Sequence, residues 1–122
     1  MPSPLDPPLG AGDHVAGSQD APLELVMYGD FQCPYCAAAQ PILRRVRERL
    51  DGRLRFAFRH FPLTEMDRIA VELEEGAHAA RVARDVASGE AAGVQGTPAF
   101  FVNGVLHEGA FDTQSLIAAL ET

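Results

Sequence analysis

Leu23 to Tyr28 reads Leu-Glu-Leu-Val-Met-Tyr, a nearly unbroken apolar run of strand length. So few polar interruptions predict a strand covered on both faces, in the middle of a sheet. The run stops at Gly29-Asp30, and from about Pro34 to Leu50 the period changes. Ile42, Leu43, Val46 and Leu50 recur at helical spacing with arginines opposite, the pattern of an amphipathic helix. Pro34 suits the first helical turn, where its missing N–H costs nothing, while Pro41 falls inside and predicts a kink. Asp51-Gly52 closes the helix. Arg53 to His60 alternates, with Leu54, Phe56 and Phe58 set against Arg55, Ala57 and Arg59. This is a second strand, and the strand-helix-strand connection predicts parallel pairing.

Phe61-Pro62-Leu63 ends that strand. Asp67 to Glu75, with Ile69 and Leu73 on one side, reads as a short helix with Gly76 as its C-cap. A further helix from about Ala77 to Ala91 offers only small apolar groups, among them Ala80, Val82, Ala83, Val86 and Ala87. Ala99 to Val102 and Val105 to His107 flank Asn103-Gly104, a strong signal for a two-residue type I′ hairpin. After Gly109, Asp112 is placed to cap a final helix that turns Leu116, Ile117 and Leu120 to the core. Residues 1–13 hold four prolines and little else apolar, so they read as a flexible tail. His14 to Gly17 reads as a short edge strand and Ser18 to Pro22 as a turn, which makes 14–122 the folded domain.

A length of 122 residues fits one domain that buries a core without staples. No run of ~18 apolar residues occurs and the N-terminal residues lack the pattern of a secretory signal, so the expectation is a cytoplasmic chain with no membrane partner. Ten basic residues, all Arg, against 17 acidic ones give a net charge of -7, which argues against nucleic acid as a partner. Seven of the ten lie between Arg44 and Arg59. They read as a solvated helix face, with a docking patch for acidic partners as the alternative.

Cys33 and Cys36 are the only cysteines. A C-x-x-C between a strand and a helix puts the first sulfur where free backbone N–H groups and the helix dipole favour its thiolate, and the second one turn on, able to close the ring. A pair of structural thiols is the bland alternative. Zinc is the chemical rival, since C-x-x-C with two of His14, His60, His78 and His107 would make four ligands. No H-x(3–5)-H pair and no second C-x-x-C accompanies it. Tyr35, between the cysteines, falls in an exposed first turn, placed to tune the pair and to touch substrate.

Three blocks, Gly29-Asp30-Phe31-Gln32-Cys33-Pro34-Tyr35-Cys36, Arg59-His60-Phe61-Pro62-Leu63 and Gly96-Thr97-Pro98-Ala99-Phe100-Phe101-Val102-Asn103-Gly104, resemble the DsbA-like branch of the thioredoxin superfamily. The resemblance covers about residues 14–121. It implies an α/β thioredoxin-like fold with a four-stranded mixed central sheet, in the order 54–60, 24–28, 98–102, 105–108, flanked by helices. It implies a thiol-disulfide oxidoreductase with Cys33 as nucleophile and Cys36 as resolving thiol. Substrate would be bound by Pro34, Tyr35 and a cis Thr97-Pro98 peptide. Partners would be protein or peptide thiols and disulfides, with glutathione a further candidate, and no cofactor beyond the Cys33-Cys36 disulfide is expected. Two departures stand out. Many relatives bury an acid six residues before the nucleophile, where this chain has Met27. The helical insertion usual in the branch is shortened to about 62–96. These departures leave open a redox-inert peptide-binding module as an alternative, beside the Cys/His metal protein.

Overall fold

The computed structural model describes residues 5, 8–10, 13, 15–18, 20–30, 34–61, 79–94, 96–108 and 111–122. In chain order these form β1 (Val15–Ala16), β2 (Leu23–Gly29), α1 (Pro34–Arg49), β3 (Leu54–His60), α2 (Ala79–Ala91), β4 (Ala99–Val102), β5 (Val105–Leu106) and α3 (Thr113–Glu121). The helix expected at Asp67–Glu75 lies outside the described residues. One five-stranded sheet runs β1-β3-β2-β4-β5. The four strands anticipated are in the anticipated order, and β1 adds the edge.

The apolar run places β2 at the centre. Residues 25–29 are all buried, β3 pairs with β2 in parallel from Leu23↔Leu54 to Gly29↔His60, and β4 pairs antiparallel with Tyr28↔Ala99. Alternation along these strands splits the core into two layers. Leu25 and Met27 join Cys36, Ala39, Leu43, Val46 and Leu50, with Phe100, Leu116 and Leu120 closing that layer. Val26, Tyr28, Ala57 and Phe101 face the other way, against Ala92 and Val94. The buried positions of α1 recur every three or four residues, and the helix continues through Pro41.

Local chemistry explains the ends. Asn103 has φ 50 and Gly104 φ 86, the double positive φ that a type I′ turn requires. The Asn103 side chain also accepts from Glu24 N at 2.9 Å and donates to the Leu120 carbonyl at 3.0 Å. It thereby satisfies one of the carbonyls that the end of α3 leaves open. Asp112 is the N-cap of α3, its Oδ1 accepting from Ser115 N at 2.8 Å. This bond, first among the causes, holds the Asp112 carboxyl below its usual range.

Two expectations need correction. At its described residues the N-terminal stretch is anchored. Leu5 is buried among Val26, Tyr28, Ala57 and Phe101, and its N–H donates to Gly104 O at 2.7 Å. Asp13 grips Arg59 through both carboxylate oxygens, at 3.0 and 2.9 Å. An apolar residue and an acid make these contacts. The arginine group, in turn, is not one face. Arg44, Arg45, Arg47 and Arg49 are exposed on α1, whereas Arg55 pairs with Glu24 at 3.0 Å and Arg59 is only 1% exposed.

Candidate active site

The end of β2 and the start of α1 place Pro34–Cys36 at one end of the sheet. Pro34 and Tyr35 are exposed in the first turn of α1, Tyr35 at 68%, where the helix N-terminus presents free N–H groups. Cys36 turns inward and is 3% exposed, in the apolar layer with Met27 and Phe100. Its Sγ accepts from Asp30 N at 3.3 Å. Cys33, Phe31 and Gln32 lie outside the described residues, as do His14 and His78.

Thr97–Pro98 is a cis peptide, as the resemblance implied, and both residues are half-buried. It comes immediately before β4, whose Ala99 pairs with Tyr28. The start of β4 and the exit from β2 are therefore at the same end of the sheet, so Thr97–Pro98 and the Pro34–Cys36 turn share that end. His60, the last residue of β3, opposes Gly29 there. It is 5% exposed, with its ring edge-on to Phe58 at 5.2 Å. His107 is half-buried beyond β5. Among the described residues no three His, Cys, Asp or Glu side chains are grouped to hold a metal.

Met27 is fully buried. Strand pairing sets it beside Phe58 and Phe100. A Cβ on Gly29 would come within 2.7 Å of the Phe58 ring and 3.0 Å of Met27 Cε, so these two side chains fill the space over that glycine. A carboxyl at position 27 would face this apolar packing with costly desolvation.

Four buried polar groups escaped the sequence reading. Asp30, three residues before Cys33, is 1% exposed. Arg59 donates from Nη1 to Tyr28 Oη at 2.9 Å. Tyr28 Oη and Ser88 Oγ lie 2.6 Å apart, and Ser88 donates to Asp85 O at 3.0 Å. Asp85 Oδ2 accepts from His60 N at 3.0 Å. Burial pushes the Asp85 carboxyl up, and the His60 N–H and neighbouring charge recover only part of that rise. At Asp13 burial also pushes upward, yet the hydrogen bond and charge of Arg59, with the Gly10 N–H, outweigh it and leave the carboxyl below its ordinary range. The Arg59 guanidinium is likewise held above its usual value: burial opposes its charge, and the bonds to Asp13 and Tyr28 prevail. Hydrophobic patterning treats Arg59 as the outward position of an alternating strand, so no local signal announces its burial. Asp30 could have been found from its place between a buried strand and the cysteines.

A thioredoxin family model matches residues 10–73, more than half of the chain. The chain belongs to the thioredoxin family. This thioredoxin-family domain superposes on DsbA2 of Pseudomonas aeruginosa with a TM-score of 0.76 at 18% identity, covering 93% of this chain and 95% of that one. Oxidised BdbD of Bacillus subtilis gives 0.75 at 17% identity, covering 91% and 94%. The fold is thus of the DsbA-like type. In sequence the chain is similar to the Na(+)/H(+) antiporter NhaA 1 of Salinispora arenicola, 29% identical over 167 aligned residues, which take in 96% of this chain and 25% of that protein. The chain spans about a quarter of the length of the curated relatives it matches. That alignment exceeds the 122 residues of the chain by 45, so the relative carries at least that many residues within the matched region that are missing here. The domain is accordingly a small one of its type, in keeping with a reduced insertion. The same relatives correct the cytoplasmic placement. Nearly the whole chain is similar to part of proteins named as ion antiporters, so composition alone does not assign it to the cytosol, although no described helix is long and apolar enough to cross a membrane.

Proposed function

We propose that this domain exchanges thiols and disulfides through the Cys33-Pro34-Tyr35-Cys36 dithiol. The observation that carries the reading is the setting of the motif in a thioredoxin-family chain. It lies where a buried central strand runs into a helix N-terminus, with Tyr35 exposed and Cys36 buried behind it. That setting favours a thiolate on the outer cysteine and keeps the inner one in reserve. The Cys33 thiolate attacks a substrate disulfide, breaking that S–S bond, forming a mixed disulfide and releasing one substrate thiolate. Cys36 then attacks Cys33, releasing the second substrate sulfur and leaving the Cys33-Cys36 disulfide. The oxidised domain runs the same steps in reverse.

Substrates in this reading are protein or peptide thiols and disulfides, and glutathione serves as the small-molecule partner. The Thr97-Pro98 backbone and the exposed Pro34 and Tyr35 form the contact surface. The pair of cysteines is its own redox group, without a separate cofactor. Ion exchange is named for the antiporter relatives as whole proteins, of which this chain spans about a quarter. Cys33→Ser is expected to abolish turnover in insulin reduction or dithiol oxidation, and Cys36→Ser to accumulate mixed disulfides on a non-reducing gel. Full activity in both variants would sink the proposal.

A further inference from the structure

The thiol pair needs a proton acceptor for Cys36, because a buried S–H attacks only after losing its proton. The layer around Cys36 offers little. Leu25, Met27, Leu43, Phe100, Val102, Leu116 and Leu120 are apolar, so β4 and α3 present no titratable group to it. The buried carboxyl and imidazole groups toward this end of the sheet among the described residues are Asp30, His60 and Asp85, while the buried Tyr28 and Arg59 are bonded to each other at 2.9 Å. Asp85 is on α2, and its carboxylate is engaged with the His60 backbone. His60 is one strand further out, its ring against Phe58. Asp30 is tied to the sulfur through its own N–H, which donates to Cys36 Sγ at 3.3 Å. A carboxylate oxygen is never more than about 5 Å from its own backbone nitrogen, so the Asp30 carboxyl lies within about 8 Å of that sulfur. It is 1% exposed, and a charge interaction over that distance is weakly screened when water is excluded.

We infer that Asp30 is the residue that controls proton loss from Cys36, acting from the loop in place of an acid on the strand at Met27. This deepens the thiol-disulfide reading and rests on it. During resolution the Cys36 proton passes to the Asp30 carboxylate, directly or through one water. The Cys36 sulfur then bonds to Cys33, the bond from Cys33 to substrate breaks, and the substrate leaves as a thiolate that takes up a proton. The dithiol is oxidised and the substrate disulfide reduced, with protons balanced.

The test uses Cys33→Ser protein, in which Cys36 is the sole thiol, and follows thiolate absorbance against pH. Adding Asp30→Asn is expected to lower the Cys36 midpoint by about half a pH unit or more, since a like charge nearby disfavours the thiolate. Adding Asp30→Glu should leave it close to that of the parent. An Asp30→Asn protein that is folded by circular dichroism and titrates like its parent overturns the inference. Should that variant not fold, Asp30→Ser takes its place with the same two outcomes. Glutathione exchange by the unsubstituted chain is measured in parallel. A midpoint shift without any exchange refutes the thiol-disulfide reading and leaves the coupling standing, whereas exchange without a shift refutes only the role of Asp30.

Discussion

The two faces of the sheet are made by the same strands and are buried in opposite ways. Toward α1, Leu25, Met27, Leu54, Phe56 and Phe58 meet Leu43, Val46 and Leu50, and Cys36 is buried in that apolar layer. On the other face a polar chain is threaded through the core: Asp13, Arg59, Tyr28, Ser88 and Asp85 are linked in sequence by hydrogen bonds of 3.0 Å or less. Arg59 also lies over the Tyr28 ring, 5.8 Å from its centroid. The polar chain joins the N-terminal stretch, β2, β3 and α2, so it works as a cross-link between segments distant in sequence. The apolar face supplies a dry setting for chemistry, and the polar face ties together the elements that hold that setting still.

Cutting the polar chain at its centre is therefore expected to have the largest effect. Arg59→Met leaves Asp13 buried without its partner and should destabilise the domain by about 3–5 kcal/mol, the range for breaking a buried pair. The shift would be read in the urea midpoint. A loss below about 1 kcal/mol would mean that the polar face is no cross-link. A smaller, pH-dependent effect sharpens the same point. The folded-state value of Asp13 is depressed below the ordinary 3.8, so its stabilising contribution is fully present above 3.8 and is lost as pH falls through the depressed value. The stability gap between the parent and Asp13→Asn should stay constant from pH 7 to about 5 and close below 3.8. A gap that closes near neutrality would contradict the assignment. Asp85 has the opposite sign, since its raised value makes it a burden on the folded state above that value.

The apolar face was legible in the sequence and the polar face was not. Periodicity placed β2, α1 and β3, because the spacing of apolar residues within 23–60 records which positions face the core. The Asn103-Gly104 turn and the Asp112 cap were legible as short-range backbone chemistry. Arg59 and Asp13 are 46 residues apart, and the Tyr28 hydroxyl reaches Ser88 across 60. No local pattern connects such partners, and an arginine in an alternating strand reads as solvated. Leu5 was lost among prolines for want of any period. At the candidate site the sequence singled out Pro34, Tyr35, Cys36, Thr97 and Pro98, which share one end of the sheet. Asp30 follows the strand, three residues before Cys33, where strand periodicity no longer marks which residues are buried.

The central claim, that Cys33 and Cys36 act as one redox unit, is tested most directly by equilibrating the chain with mixtures of reduced and oxidised glutathione and counting thiols at each ratio. The account predicts a single transition in which both thiols disappear together, with a two-electron slope of about 30 mV per tenfold change. Thiols that persist at every ratio, or one stable glutathione adduct per chain with the second thiol intact, would contradict it.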